Sequence, residues 1–185
     1  MDRATFQPSP LADAAARRAG EDGGWTLVFV RDLRHPREKV WRALTDPGRL
    51  AEWAPYTADR DLTSPGPVTL TMLDGEAAEG LHATVTRADP PELLEYDWGG
   101  DALRWELAET PAGTRLTLHH TLKERTWVPK AAAGWHLCLD VADLLLAGTP
   151  VGPIRGEEAR DFGWEDLNQA YAARLNITTD NETPS

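Results

Sequence analysis

The sequence predicts an α+β fold in which a curved antiparallel sheet wraps around a long C-terminal helix, with two short helices after the first strand. Three observations predict it. Five segments between residues 67 and 122 alternate apolar and polar side chains with a period of two. Residues 132–148, "AAGWHLCLDVADLLLAG", place Trp135, Leu139, Ala142 and Leu146 on one helical stripe. Two helix starts follow one another directly in residues 36–55. A sheet with one apolar face and a helix with one apolar stripe bury both by curling the sheet around the helix.

The first strand is residues 25–33, "WTLVFVRDL", rich in β-branched and aromatic residues. His35-Pro36 ends it. "PREKVWRALTD" then puts Pro in a helix's first turn and Val40, Trp41 and Leu44 at helical spacing. "DPGRLAEWAP" restarts with Asp46 as N-cap and Pro47 at the first helical position. The alternating segments are "PVTLTML", "GLHATVTRAD", "ELLEYDW", "LRWELAE" and "TRLTLHHTL". Their apolar faces carry Leu70 and Met72, Leu81 and Val85, Tyr96 and Trp98, Leu103 and Trp105, and Leu118 with His120. The turn signals "LDGEAAEG", "ADPPE", "WGGD" and "TPAGT" separate them, which makes an antiparallel meander. After a break at "GTPVGPIRG", residues 157–175 form a last helix with Phe162, Leu167, Ala170 and Tyr171 on its inner face.

The 185 residues suit one domain, taken as 25–177, between tails at 1–24 and 178–185 that are expected to be disordered. A net charge of −11 disfavours nucleic acid and anionic lipid as partners. There is no apolar run long enough for membrane insertion and no signal-peptide core near the start. Cys138 is the only cysteine, so no intramolecular disulfide forms and a cytoplasmic location is expected. Eight tryptophans are many for this length. They are read either as an aromatic core or as the walls of a pocket.

"HPREKVWRALTDPGRLAEW", "ADPPELLEYDW" and "GWHLCLDVADLLLAG", in this order and separation, resemble the SRPBCC superfamily. Its helix-grip fold is shared by START lipid-binding domains, birch-pollen-allergen-like proteins and polyketide cyclases. Within it the chain is similar to the bacterial branch named after the activator of the heat-shock chaperone ATPase. The resemblance spans about residues 25–177. It implies a cavity between sheet and C-terminal helix that holds a hydrophobic small molecule. Chaperone activation is not carried over, because no chaperone-binding motif is present.

The candidate ligand-binding residues are Trp53, Leu70, Met72, Tyr96, Trp98, Trp105, Leu118, His120, Trp135 and Leu139. His120 and His136 are the catalytic candidates. His120 should face inward by strand alternation, towards a ligand's polar group or a backbone carbonyl. His136 and Asp140, four apart, share a helix face. They form either a carboxylate-oriented acid–base pair or an ion pair on a helix flank, pointing partly to solvent; the flank is the expectation, for Asp143 too. Cys138 should pack as a small hydrophobe. No metal spacing, phosphate loop or dinucleotide fingerprint is present, so no metal and no cofactor are expected.

Binding of a hydrophobic or aromatic small molecule is therefore the expected function. The alternatives are a polyketide cyclase or aromatase-like enzyme moving protons with His120, His136 or Tyr96, and a stress-related, co-chaperone-like interaction module. An exposed sheet edge would allow a homodimer.

Overall fold

The computed structural model describes residues 3–20, 24–73 and 80–178. Its strands are β1 (Asp13–Ala19), β2 (Gly24–Leu33), β3 (Tyr56–Ala58), β4 (Gly66–Met72), β5 (Gly80–Asp89), β6 (Leu93–Trp98), β7 (Asp101–Thr110) and β8 (Gly113–Leu122). Its helices are α1 (Arg37–Thr45), α2 (Pro47–Leu50), α3 (Trp127–Leu146) and α4 (Trp164–Leu175), with short 3-10 segments at Arg3–Thr5 and Gly156–Phe162. The fold is α+β, of the helix-grip type: one antiparallel sheet, in the order β1-β2-β8-β7-β6-β5-β4-β3, curls around α3.

That order follows from the chain path. The two short helices carry the chain from β2 to β3 at the far edge. The meander then returns strand by strand until β8 pairs with β2, with Leu118 opposite Phe29. Asp46 caps α2 as predicted, its carboxylate accepting from the Arg49 amide at 2.9 Å with Pro47 at the first helical position. The predicted inward residues Leu70, Val85, Tyr96, Leu103, Trp105, Leu118 and His120 are all buried. Burying such a face is the main stabilising term, at roughly 25 cal/mol per Å² of apolar surface.

Four boundaries differ from the sequence reading. Residues 13–19 of the predicted tail form β1, paired with β2 from Asp13 opposite Val30 to Ala19 opposite Gly24. "DAAARRA" has no β-branched residue and no alternation; β2 imposes the conformation by offering its free backbone groups. β3 is likewise induced by pairing with β4, Tyr56 opposite Met72. α3 begins at Trp127, not at 132, since Pro129 sits in the first turn, where its missing N–H is not needed. The last predicted helix is two pieces, broken at Gly163, whose φ of 86° is left-handed. Of the predicted C-terminal tail only Thr178 lies within the described residues.

α3 is also more buried than a single stripe requires. Every residue from Trp135 to Ala142 is buried. The sheet covers one side, and α4 with residues 3–12 covers the other.

Gly113, in the β7–β8 turn, has no alternative. Its φ is 147°, and a Cβ there would lie 2.3 Å from the Leu33 carbonyl oxygen and 2.8 Å from the His35 nitrogen. Gly113→Ala should lower unfolding free energy by on the order of 3 kcal/mol, read from urea melts.

Candidate functional site

An open groove of about 1400 Å³ lies along the first half of α3. Trp127, Lys130, Gly134 and Trp135 of α3 form one wall. Ile154 from the loop after α3, Glu157 and Arg160 from the 3-10 segment, and Trp164 and Asn168 from α4 form the other. Trp98, Asp101 and His120 come from the sheet. The β6–β7 hairpin places the first two: its two-residue loop, Gly99-Gly100, has φ of 64° and 90°, the geometry of a tight hairpin turn. It sets Trp98 and Asp101 on either side of the loop at one end of the sheet.

His120 is 3% exposed and held at both ring nitrogens. Trp135 Nε1 donates to His120 Nδ1 at 3.0 Å. An indole N–H only donates, so Nδ1 is the unprotonated nitrogen. Nε2 then carries the hydrogen and donates to Asp101 Oδ2 at 3.2 Å. Trp98 packs on His120 and Trp135, with centroids 5.4 and 5.9 Å away. Trp127, at 54% the most exposed large apolar side chain among the described residues, lies under the Lys130 amine at 4.6 Å. Two buried polar atoms bordering the groove, Trp98 Nε1 and Asn168 Oδ1, have no hydrogen-bond partner among the described residues.

Three of the ten predicted lining residues, Trp98, His120 and Trp135, border this groove. The other seven do not. Trp53, Leu70, Tyr96, Trp105, Leu118 and Leu139 are buried in the core, and Met72 packs at its margin. The rings fill the space between sheet and helix by packing edge to face. Trp53 meets Trp105 at 6.2 Å, and Trp105 meets Trp135 at 5.2 Å. Their polar atoms are spoken for: Trp53 Nε1 donates to the Ala43 carbonyl and Trp105 Nε1 to the Tyr96 hydroxyl. Tyr96 also shares a short hydrogen bond with Tyr56. Burial pushes the Tyr96 phenol up to about 12, although the bonds from Tyr56 and Trp105 pull the other way. As a proton donor to a ligand it is both locked and out of reach.

His136 and Asp140 depart furthest from expectation. They are not flank residues in solvent: His136 is 0% and Asp140 6% exposed. They face away from the groove, under residues 6–12, and Arg31 from β2 pairs with the Asp140 carboxylate. A buried carboxylate persists only when paired, and the predicted tail supplies much of the pairing. Asp143 does reach the surface, where it meets His35 at 2.7 Å. Cys138 is buried, as expected of a small hydrophobe.

Sequence reasoning missed Asp101, Lys130, Gly134 and Asn168. Asp101 lies in the turn signal "WGGD" and Gly134 opens "GWHLCLDVADLLLAG", where neither carries a chemical signature; Lys130 and Asn168 lie in no motif. The one available signal was tryptophan outside the alternating strands, at Trp127 and Trp164. Among the described residues no three His, Cys, Asp or Glu side chains converge as metal ligands. No helix among them is long and apolar enough to cross a membrane.

The family model "Activator of Hsp90 ATPase homolog 1-like protein" matches residues 34–146. Among curated proteins none matches the chain. Several solved structures share its fold. CalU16 from Micromonospora echinospora superposes with a TM-score of 0.64 at 21% identity, covering 88% of this chain and 95% of that one. A Bordetella parapertussis protein encoded by gene BPP1335 gives 0.61 at 25% identity, covering 94% and 96%. An AHSA1-like protein from Aeromonas hydrophila gives 0.55 at 23% identity, covering 67% and 94%.

Proposed function

The chain belongs to the family of activator-of-Hsp90-ATPase-homolog-1-like proteins, and from that premise we propose that it binds a hydrophobic or aromatic small molecule in the groove along α3. One observation carries the reading: Trp98, Trp127, Trp135 and Trp164 border a single open volume, alongside charged side chains such as Asp101, Lys130, Glu157 and Arg160. Trp98 Nε1 and Asn168 Oδ1 add a donor and an acceptor that a ligand's polar edge would satisfy.

Gly134 provides the test. A Cβ built there meets nothing within 4 Å, and the residue borders the groove. Gly134→Leu should therefore fold normally, with helix propensity improved by about 0.5–1 kcal/mol, while its side chain occupies ligand space. Native mass spectrometry of protein purified from its source, followed by a lipid and metabolite soak, should show adducts on the wild type and none on this variant. Equal adducts on both would place the ligand elsewhere.

A cyclase-like enzyme is the second reading, and the Asp101–His120 pair is what favours it. The pairing also ranks it second, since both imidazole nitrogens are engaged by the protein and a substrate would have to displace Asp101. Turnover of a captured ligand that His120→Ala abolishes would reverse the ranking. A co-chaperone-like role has no residue to argue from, and a pull-down with a heat-shock chaperone tests it directly.

A further inference from the structure

A buried polar cluster lies outside the groove, on the opposite side of α3. Ser9 stands at its centre. The Ser9 amide donates to Asp140 Oδ2 at 2.8 Å and its hydroxyl to Asp140 Oδ1 at 2.8 Å. Arg31 Nη1 donates to Ser9 Oγ at 2.7 Å, and Arg31 Nη2 pairs with Asp140. His136 Nε2 lies 3.1 Å from the Ser9 carbonyl oxygen, 3.2 Å from its hydroxyl and 3.2 Å from Asp140 Oδ2. On the other side of the ring, Nδ1 meets the Tyr171 hydroxyl at 2.7 Å. That hydroxyl accepts from the Ala12 amide at 3.0 Å, and Arg174 holds the Ala12 carbonyl.

Proton placement separates a catalytic serine from a structural one. With Ala12 donating to Tyr171, the phenol's own hydrogen goes to His136 Nδ1. Nε2 is then the protonated nitrogen, as the Ser9 carbonyl beside it also requires. A histidine protonated at Nε2 takes no proton from Ser9, whose hydroxyl hydrogen already points to Asp140. Every member has a partner, so the cluster reads as a fastening and not as a nucleophile.

What it fastens is residues 3–12, and their other end grips the groove wall. Arg3 donates to the carbonyls of Val151 and Pro153, at 2.9 Å each, and pairs with Glu158 at 2.6 Å. Its guanidinium lies 5.1 Å over the Phe162 ring, and Phe6 meets the same ring edge to face at 5.8 Å. The gripped stretch, residues 151–162, supplies Ile154, Glu157 and Arg160 to the groove.

We propose that residues 3–12 are a strap, locked to α3 by Ser9 and Asp140, that holds the 151–162 wall in place and so controls ligand entry to and exit from the groove. The entry-and-exit part rests on the groove being the ligand site; the fastening does not.

Two variants test it. Arg3→Ala cuts the strap from the wall and leaves the buried cluster intact. Asp140→Asn weakens the lock. Amide hydrogen exchange of full-length protein should quicken about tenfold across residues 151–162 in both, and across residues 6–12 in the second, while residues 137–142 of α3 stay protected. With 1-anilinonaphthalene-8-sulfonate as probe, dissociation from Arg3→Ala should be about threefold faster or more. Unchanged exchange in 151–162 of Arg3→Ala overturns the strap, even if Asp140→Asn fails to fold. Faster exchange with unchanged probe kinetics overturns the control of entry. If the probe binds no variant and not the wild type, and no adduct is found, the groove reading fails; exchange alone then decides the fastening.

Discussion

Replacing Arg31 with Met should lower the unfolding free energy by about 3–5 kcal/mol, measured by urea denaturation at neutral pH. The side chain stays unbranched and apolar near the backbone but loses its charge, leaving the Asp140 carboxylate 6% exposed beside His136 and Ser9 with no cation of its own. The double variant Arg31→Met/Asp140→Asn should recover part of the loss, because the stranded charge is gone. Acidity gives a second readout. Burial raises the Asp140 carboxyl, but the His136 hydrogen bond, the Arg31 charge and the Ser9 amide outweigh it and hold the carboxyl below its ordinary 3.8. A depressed carboxyl contributes stability that is full above its unfolded value and lost as pH falls through the folded one. The Asp140 contribution to wild-type stability should therefore be flat above about pH 4 and fall below it. In Arg31→Met the fall should begin at higher pH. An identical acid limb in both proteins would mean that Arg31 does not hold the Asp140 charge.

Alkali should unfold the protein over a narrow span, with all three tyrosines ionising together. Burial pushes Tyr96 and Tyr171 up to about 12, and burial with the neighbouring Tyr96 hydroxyl raises Tyr56 well above 10. A phenol with a raised value contributes stability that is full below pH 10 and lost as pH rises towards the folded value. The two-unit rise at Tyr96 alone withdraws about 3 kcal/mol by pH 12. The chain has no other tyrosine, so phenolate absorbance at about 295 nm should stay near zero at pH 10 and rise together with the loss of near-ultraviolet circular dichroism. A tyrosine titrating near pH 10 in folded protein would contradict the burial of these hydroxyls.

Strands β4 to β8 were legible because each alternates, and alternation is a physical record of one face buried and one wet. α3 was legible from Trp135, Leu139, Ala142 and Leu146. β1 was not, because Asp13–Ala19 has no pattern of its own and becomes a strand by completing the edge of β2. For the groove, inward direction was readable and emptiness was not. Trp53, Tyr96 and Trp105 point inward as predicted, yet they meet one another and close the space. Trp98 and Trp135 lie at its end, where Gly99-Gly100 turns the sheet and Gly134 brings no side chain.

By itself the sequence determined the fold class, the order of most elements and the inward placement of His120, since these depend on local periodicity, capping and turn chemistry. Tertiary structure alone decided which inward rings line a groove and which fill the core, a matter of how side chains from distant strands share volume. It also decided the state of His136 and Asp140. On an isolated helix they are an exposed i, i+4 pair. They become buried because Arg31, more than 100 residues away in the chain (|i−j| = 109), and Ser9, still further, bring the charge and hydrogen bonds that a buried carboxylate requires.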